Sequence, residues 1–315
     1  MRGSLSLRLL GLCLALLAVF GFFVLCLHPW FQHWGATDDE VRRTLPGDEI
    51  IAPAGTQETR AVTIHARPAI VWSWLTQIGQ DRGGFYSYDL LENLVGCEMP
   101  TVDRLQLDGH EWKIGDKLWM YPQEKAGGIG FATLRHYVPG HVLGFGTRAF
   151  GTALTEPENG SWTFVLEPEG DHAARLLVRG RMAPGRSLMW RTFDRILFDP
   201  AHFAMERRML IGLKQIAEGS PRTRTANHLQ VGLWAATFSL TVTAIGLVFR
   251  RDRWRRALVA FAASAVVFQI LTFVQPSMAI GVVLVAAAAV ILPWGKGPRG
   301  GEQACAKKFV YEQRR

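Results

Sequence analysis

Cysteine is scarce, with four in 315 residues. Cys13 and Cys26 fall in an apolar run and Cys305 lies near the end, so Cys97 is the one thiol of the central region. A lone thiol forms no intradomain disulfide. Without a CxxC pair or a Cys/His cluster there is no ligand set for structural zinc. Cys97 reads as a small buried apolar side chain. The histidines are scattered: His65, His110, His136, His141, His172 and His202 give neither HExxH nor HxH spacing. No GxSxG elbow marks a nucleophile. The glycine-rich run Gly79-Gln80-Asp81-Arg82-Gly83-Gly84 lacks the Gly-Lys-Ser/Thr ending of a phosphate loop and the spaced glycines of a dinucleotide site. It reads as a turn between helices, with a cavity rim gated by Gln77, Asp81 and Arg82 as the functional alternative. No metal and no cofactor are expected.

Charge is missing from four stretches. Leu9 to Leu27 holds 19 apolar residues. At 1.5 Å per residue it reaches about 28 Å, close to the hydrocarbon core of a bilayer. It ends in Cys-Leu-His-Pro-Trp rather than a small-x-small cleavage site, and so reads as an uncleaved anchor. Trp30, Phe31 and Trp34 read as an interfacial aromatic belt. Residues 229–249, 257–274 and 278–294 are further candidate spans, the last two as a hairpin or as one broken, re-entrant element.

The formal net charge is nevertheless +8. Its source decides its meaning. Arg250, Arg251, Arg253, Arg255 and Arg256 lie between two apolar runs, and Lys296, Arg299, Lys307, Lys308, Arg314 and Arg315 follow the last. Charge so placed marks cytoplasmic flanks of membrane helices and not a nucleic-acid surface. The pattern puts both termini in the cytoplasm and the domain between the first two spans outside, in a bacterial cytoplasmic membrane.

Between the spans the sequence is globular. Residues 1–28 form the anchor, 29–58 a linker with a helical turn starting at Thr37, 59–218 a domain, 219–228 a second linker, and 295–315 a basic tail. Within the domain, Thr59–Ala66 alternates as a strand. Pro68 starts a helix carrying Ile70, Val71, Trp74, Leu75 and Ile78. Gly83-Gly84 turns into a second helix, Ser87–Val95, expected to bury Leu90, Leu91 and Leu94. Strands follow at Lys117–Tyr121, Gly130–Val138, Val142–Arg148, Ser161–Glu167 and Arg175–Met182, separated by turns that include Gly127-Gly128 and Pro139-Gly140. Ser187–Phe198 is helical in spacing. Asp199 and Pro200 suggest a break and a restart through Glu218, with Glu206, Arg207, Arg208 and Lys214 on an exposed face. Arg179 and Arg181, on the polar side of the last strand, are expected to face water.

The run WLTQIGQDRGGFYSYDLLENLVG, with HWGATDDEV before it and DPAHFAMERRMLIGLK after it, resembles a bacterial, membrane-anchored branch of the SRPBCC superfamily (START, Bet v 1 and polyketide cyclase/dehydrase-like proteins). The resemblance covers about Trp34 to Glu218. It implies an α+β helix-grip fold, an antiparallel curved sheet around a long C-terminal helix, here joined to four transmembrane helices. It also implies a cavity for lipids, sterols, isoprenoids or polyketides.

The side chains suited to such a cavity are Trp74, Phe85, Tyr86, Tyr88, Glu92, Trp119, Phe131, Phe145, Trp162, Phe164, Phe193 and Phe203. Tyr88 and Glu92, four apart, would share a helix face and could act as acid and base. The leading expectation is a binding module for a lipophilic molecule or membrane lipid. The alternatives are a cyclase, aromatase or dehydratase on the same cavity, and a structural or regulatory membrane protein.

Overall fold

The computed structural model describes residues 2–100, 102, 104–105, 111–125, 130–149, 151–220, 223–250 and 254–292. The Gly127-Gly128 turn, His110, Arg222, Arg251, Arg253 and the tail 295–315 lie outside them. In chain order the helices are α1 (Arg2–Phe22), α2 (His28–Gln32), α3 (Asp38–Arg42), α4 (Pro68–Leu75), α5 (Asp89–Leu94), α6 (Leu188–Phe193), α7 (Asp199–Ala217), α8 (Arg224–Arg250), α9 (Trp254–Gln269) and α10 (Met278–Ile291). The strands are β1 (Thr56–Ile64), β2 (Lys117–Trp119), β3 (Phe131–Val138), β4 (Val142–Thr147), β5 (Gly160–Pro168) and β6 (Ala174–Met182). The chain divides into two compact units, one of residues 1–24 with 229–315 and one of residues 25–228.

Three helical stretches are long and apolar enough to cross a membrane, Leu5–Gln32, Arg224–Arg250 and Trp254–Val274, most of their length in the first unit. The fourth expected span is the 14-residue α10. At 1.5 Å per residue that is about 21 Å, short of a ~30 Å core. The expected count of four therefore becomes three plus one short apolar helix among the described residues. Arg256 at the start of α9 donates to the carbonyls of Val290 and Ile291 at the end of α10, so these two run antiparallel as a hairpin. Arg8 donates to the carbonyls of Val248 and Phe249 at the end of α8. Both arginines satisfy carbonyls that a helix end leaves unbonded. They gather the basic helix ends at one end of this unit.

The second unit is built on a six-stranded antiparallel sheet in the order β1-β6-β5-β4-β3-β2. All six strands overlap expected ones, with β1 shifted toward the N-terminus from Thr59–Ala66, because period-two alternation is strong where one face is buried. On the inner face, Ile64, Leu118, Leu134, Leu143, Phe145, Trp162, Phe164, Leu166, Leu176 and Val178 pack with Val71, Trp74 and Leu75 of α4, with Ile78 just after it, and with Met209, Leu210 and Leu213 of α7. Burying each such side chain contributes about 1.5–3 kcal/mol.

The outer face is covered by residues 36–51, where a linker was expected. Leu45 packs with Ala61, Val165 and Leu177. Thr37 caps α3 in a reciprocal capping box with Glu40. The arginines of β6 hold this segment down. Arg179 is 1% exposed and donates to Asp48 and to the carbonyls of Glu40, Val41 and Arg43. Arg175 donates to both oxygens of Glu40 at 2.7 and 2.8 Å. This hydrogen bonding holds the Glu40 carboxyl down at about 2, against burial, which works to raise it. The expectation that Arg179 faces water fails because four acceptors from this segment converge on it, with Thr59 of β1 as a fifth.

Two more expectations change. Phe31 belongs to the domain and not to an interfacial belt, since it is buried and stacks on Phe203 with centroids 4.8 Å apart. Pro200 does not break the helix. The chain stays helical through a π-helical turn, Asp194–Phe198, and Asp199 opens α7 without capping it. Proline lacks an N–H and crowds the preceding turn, and widening that turn accommodates both.

Candidate functional site

A short strained segment sets the site. Gly79 and Gly84 pair in an isolated antiparallel bridge, closing the turn that follows α4. Tyr86 then takes a left-handed backbone, φ 55°, uncommon for a residue with a side chain. Its hydroxyl donates to the carbonyl of Trp74 at 3.0 Å. Its own carbonyl rests on α7 so closely that a Cβ on Gly212 would lie 2.2 Å from it. Ser87 donates to the carbonyl of Met205 at 2.8 Å, fixing the same segment about two turns earlier on α7.

Beside this contact is a cleft of about 90 Å³. Phe85, Tyr86, Pro100, Val102 and Ile216 give it apolar walls, and Asp89, Glu92, Arg208, Arg224 and Asn227 bring polar groups. Buried Arg208 donates to Asn227 at 3.2 Å. Arg224 stands 3.9 Å from Asp89. Glu92 has no cation or hydrogen-bond donor on its carboxylate among the described residues. Burial, and then the Asp89 charge, push its carboxyl up to about 7. A carboxyl poised there is a donor or an acceptor near neutrality.

The expected site residues scatter around this cleft. Phe85, Tyr86 and Glu92 line it. Tyr88 is fully buried and precedes α5 with non-helical backbone, φ −98° and ψ 76°. It is not among the cleft's lining residues, so the two groups do not share a helix face. Helix α5 is shorter than expected and leaves Leu94 exposed. Trp74, Phe145, Trp162 and Phe164 belong to the contiguous inner-face cluster, where the Phe164 ring meets both Phe145 and Trp162. Trp119 lies against Phe131 at the β2–β3 end, with Lys117 over the Phe131 ring. Phe193 packs edge-on against Trp190. Phe203 sits among Trp30, Phe31 and Trp34.

A second polar cluster escaped sequence reasoning. Glu206 and Arg208, expected on the exposed face of α7, are buried. Glu206 accepts from the Trp162 indole at 2.6 Å and pairs with Arg60, which also donates to Glu58. Burial works to raise the Glu206 carboxyl, but the Arg60 and His202 charges and the hydrogen bonds from Arg60 and Trp162 together outweigh it, so the group lies below the ordinary value. Glu58, His202 and Glu206 bring ligand-type atoms within 4.8 Å of one another. The Arg60 guanidinium already supplies the cation to both carboxylates. His202 and Glu206 are four apart on one helix, a spacing that alone does not distinguish a pair from two separate roles. The carboxyl of nearby Asp199 is pushed up to about 7 by burial and then by Glu58 and Asp194.

No protein-family profile matches the chain, and no curated protein sequence does. Solved structures give loose matches. A protein from Arthrobacter aurescens is 14% identical, with 58% of this chain and 95% of that chain covered and a TM-score of 0.31. A protein from Mesorhizobium loti is 15% identical, with 52% and 100% covered and a TM-score of 0.28. A polyketide-cyclase-like protein from Corynebacterium glutamicum is 16% identical, with 51% and 85% covered and a TM-score of 0.24. At such scores the likeness carries no argument, and the fold rests on the strand order and the inner-face core.

Proposed function

We propose that this chain is a membrane-anchored binding protein with an SRPBCC-like, helix-grip domain. Its ligand is a lipophilic small molecule with a polar end, of the lipid, isoprenoid or polyketide kind. The observation that carries the reading is the cleft: apolar walls beside Glu92, a carboxyl without a counter-ion among the described residues, with Arg208 and Arg224 also lining it. Few convergent polar groups in an apolar concavity are what a small-molecule site needs. A volume of about 90 Å³ suits a polar end group and not a whole lipid. The remainder of the ligand would enter between α7 and the sheet as Phe85 and Tyr86 give way. The left-handed backbone of Tyr86 supports a segment with two arrangements.

The supporting context is the resemblance carried by the three motifs, together with α7 packing on the inner face. The gathering of Arg8 and Arg256 at one end of the helical unit supports basic ends in the cytoplasm and the domain outside.

Native mass spectrometry of the full chain, released from nanodiscs, tests the reading. One molecule of several hundred daltons is expected to stay bound and to be lost in Ile216→Trp, which fills the cleft. A bare mass after incubation with total lipid extract would refute it. One observation favours catalysis instead, the poise of Glu92 near neutrality. An acid–base role would need turnover that disappears in Glu92→Gln while binding persists.

A further inference from the structure

Among the described residues of the sheet domain, exposed large apolar side chains concentrate in one stretch. Leu188, Met189, Ile196, Leu197 and Phe198 are each 42–72% exposed. They lie on α6 and the π turn that follows it. The inward side of this stretch is satisfied. Asp194 pairs with Arg186 at 2.7 Å, Arg186 lies over the Trp190 ring, and Trp190 meets Phe193 edge-on. At helical spacing Leu188, Met189, Thr192 and Ile196 share the outward side, and Arg191 and Arg195 border it, both exposed. The single acid of the stretch is the one Arg186 already neutralises. An apolar face edged by arginines and free of acid is the composition of a helix lying in a bilayer interface.

The chain supplies the second argument. The unit of residues 25–228 is continuous at each end with an apolar helical stretch long enough to span. Two tethers hold its surface at high effective concentration against lipid, so weak intrinsic affinity suffices. An exposed apolar patch on a domain in free solution would be a liability.

We propose that Leu188–Phe198 docks into the headgroup region of an anionic phospholipid bilayer. Leu188, Met189, Ile196 and Leu197 enter the acyl boundary, and Arg191 and Arg195 meet lipid phosphates. The inference rests on the membrane anchoring proposed above.

The test uses the full chain with its four cysteines replaced by serine. It is reconstituted in phosphatidylcholine nanodiscs with and without phosphatidylglycerol. Spin labels go at Leu188→Cys and Ile196→Cys, with Leu14→Cys in the first apolar helix and Ile114→Cys elsewhere on the domain as references. Labels at 188 and 196 are expected to collide with oxygen in preference to a water-soluble nickel complex, as at 14 and unlike 114. Reversing both charges, Arg191→Glu with Arg195→Glu, is expected to lower the docked fraction about tenfold or more. Aqueous labels at 188 and 196 beside an embedded 14 would overturn this inference alone. An aqueous 14 would overturn the anchoring with it. Labels shielded from both reagents would place a protein surface there and equally overturn it.

Discussion

Arg179→Met should loosen the segment that covers the outer face of the sheet. The guanidinium donates to Thr59 Oγ1 at 3.0 Å, Asp48 Oδ2 at 2.8 Å, and the carbonyls of Arg43, Glu40 and Val41 at 2.9, 2.6 and 3.2 Å. Methionine fills similar space and donates nothing. Breaking a buried ion pair from one side costs about 3–5 kcal/mol, because the remaining charge stays without its partner. Asp48 keeps the Leu45 amide at 3.0 Å and Arg181 at 3.9 Å, which argues for the lower part of that range. With a loss of about 3–4 kcal/mol, and 2–4 °C per kcal/mol for a domain of this size, the melting temperature should fall by about 6–16 °C. A chain of two units need not melt in one step, so the sharper assay is hydrogen exchange on the full chain. Amides of Val41, Arg43 and Ile50, bonded within this segment, should exchange at least a hundredfold faster, about 2.7 kcal/mol. Arg179→Lys should recover part of the loss, since one ammonium cannot reach five acceptors. A melt within about 2 °C of the parent, with exchange at 41–50 unchanged, would refute the clamp.

Glu92 gives the domain a pH dependence. Its carboxyl is raised to about 7 when folded, from an ordinary 4.5. The folded state therefore holds a proton that the unfolded chain has released, and this contribution is present below about 4.5 and lost as pH rises through about 7. Glu92→Gln should flatten that fall and raise stability at pH 8 by up to about 3 kcal/mol, read as a melting shift; a slope unchanged in the variant would assign it to Asp199 alone, whose raised carboxyl acts in the same direction. Arg60→Met should cost about 3–5 kcal/mol by leaving Glu206 and Glu58 without a cation, and adding Glu206→Leu should restore much of it; equal melting of single and double variants would contradict the pairing. Gly212→Ala should push the Tyr86 carbonyl off α7 and destabilise the domain by about 1–3 kcal/mol, whereas Gly170→Ala, at a turn with open space, should cost only the strain of its positive φ.

The sheet was legible because its signal is local. Alternation along 56–64, 131–138, 142–147, 160–168 and 174–182, with turn residues between, leaves little freedom of register. What sequence could not reveal was partnership at a distance. Arg179, Glu206 and Arg208 carry charge, so periodicity assigns them to water. Arg179 finds its acceptors among residues 40–48, Glu206 its donors in Arg60 and Trp162, and Arg208 its acceptor in Asn227, each distant in sequence. Tyr88 and Glu92 fit a helical spacing, but α5 begins after Tyr88 because Ser87 and the Tyr86 carbonyl are held on α7. Among the proposed lining residues, aromatic character marked burial correctly for Trp74, Phe145, Trp162 and Phe164. It could not say whether they enclose space or fill it, since both use the same side chains.

The most direct measurement of the central claim is the mass of the intact protein as it leaves a native membrane. A single lipophilic molecule bound to the parent chain and absent from Ile216→Trp is the expected result. A protein of bare mass, taking up nothing from total lipid extract at pH 6 or pH 8, would contradict the account at its root.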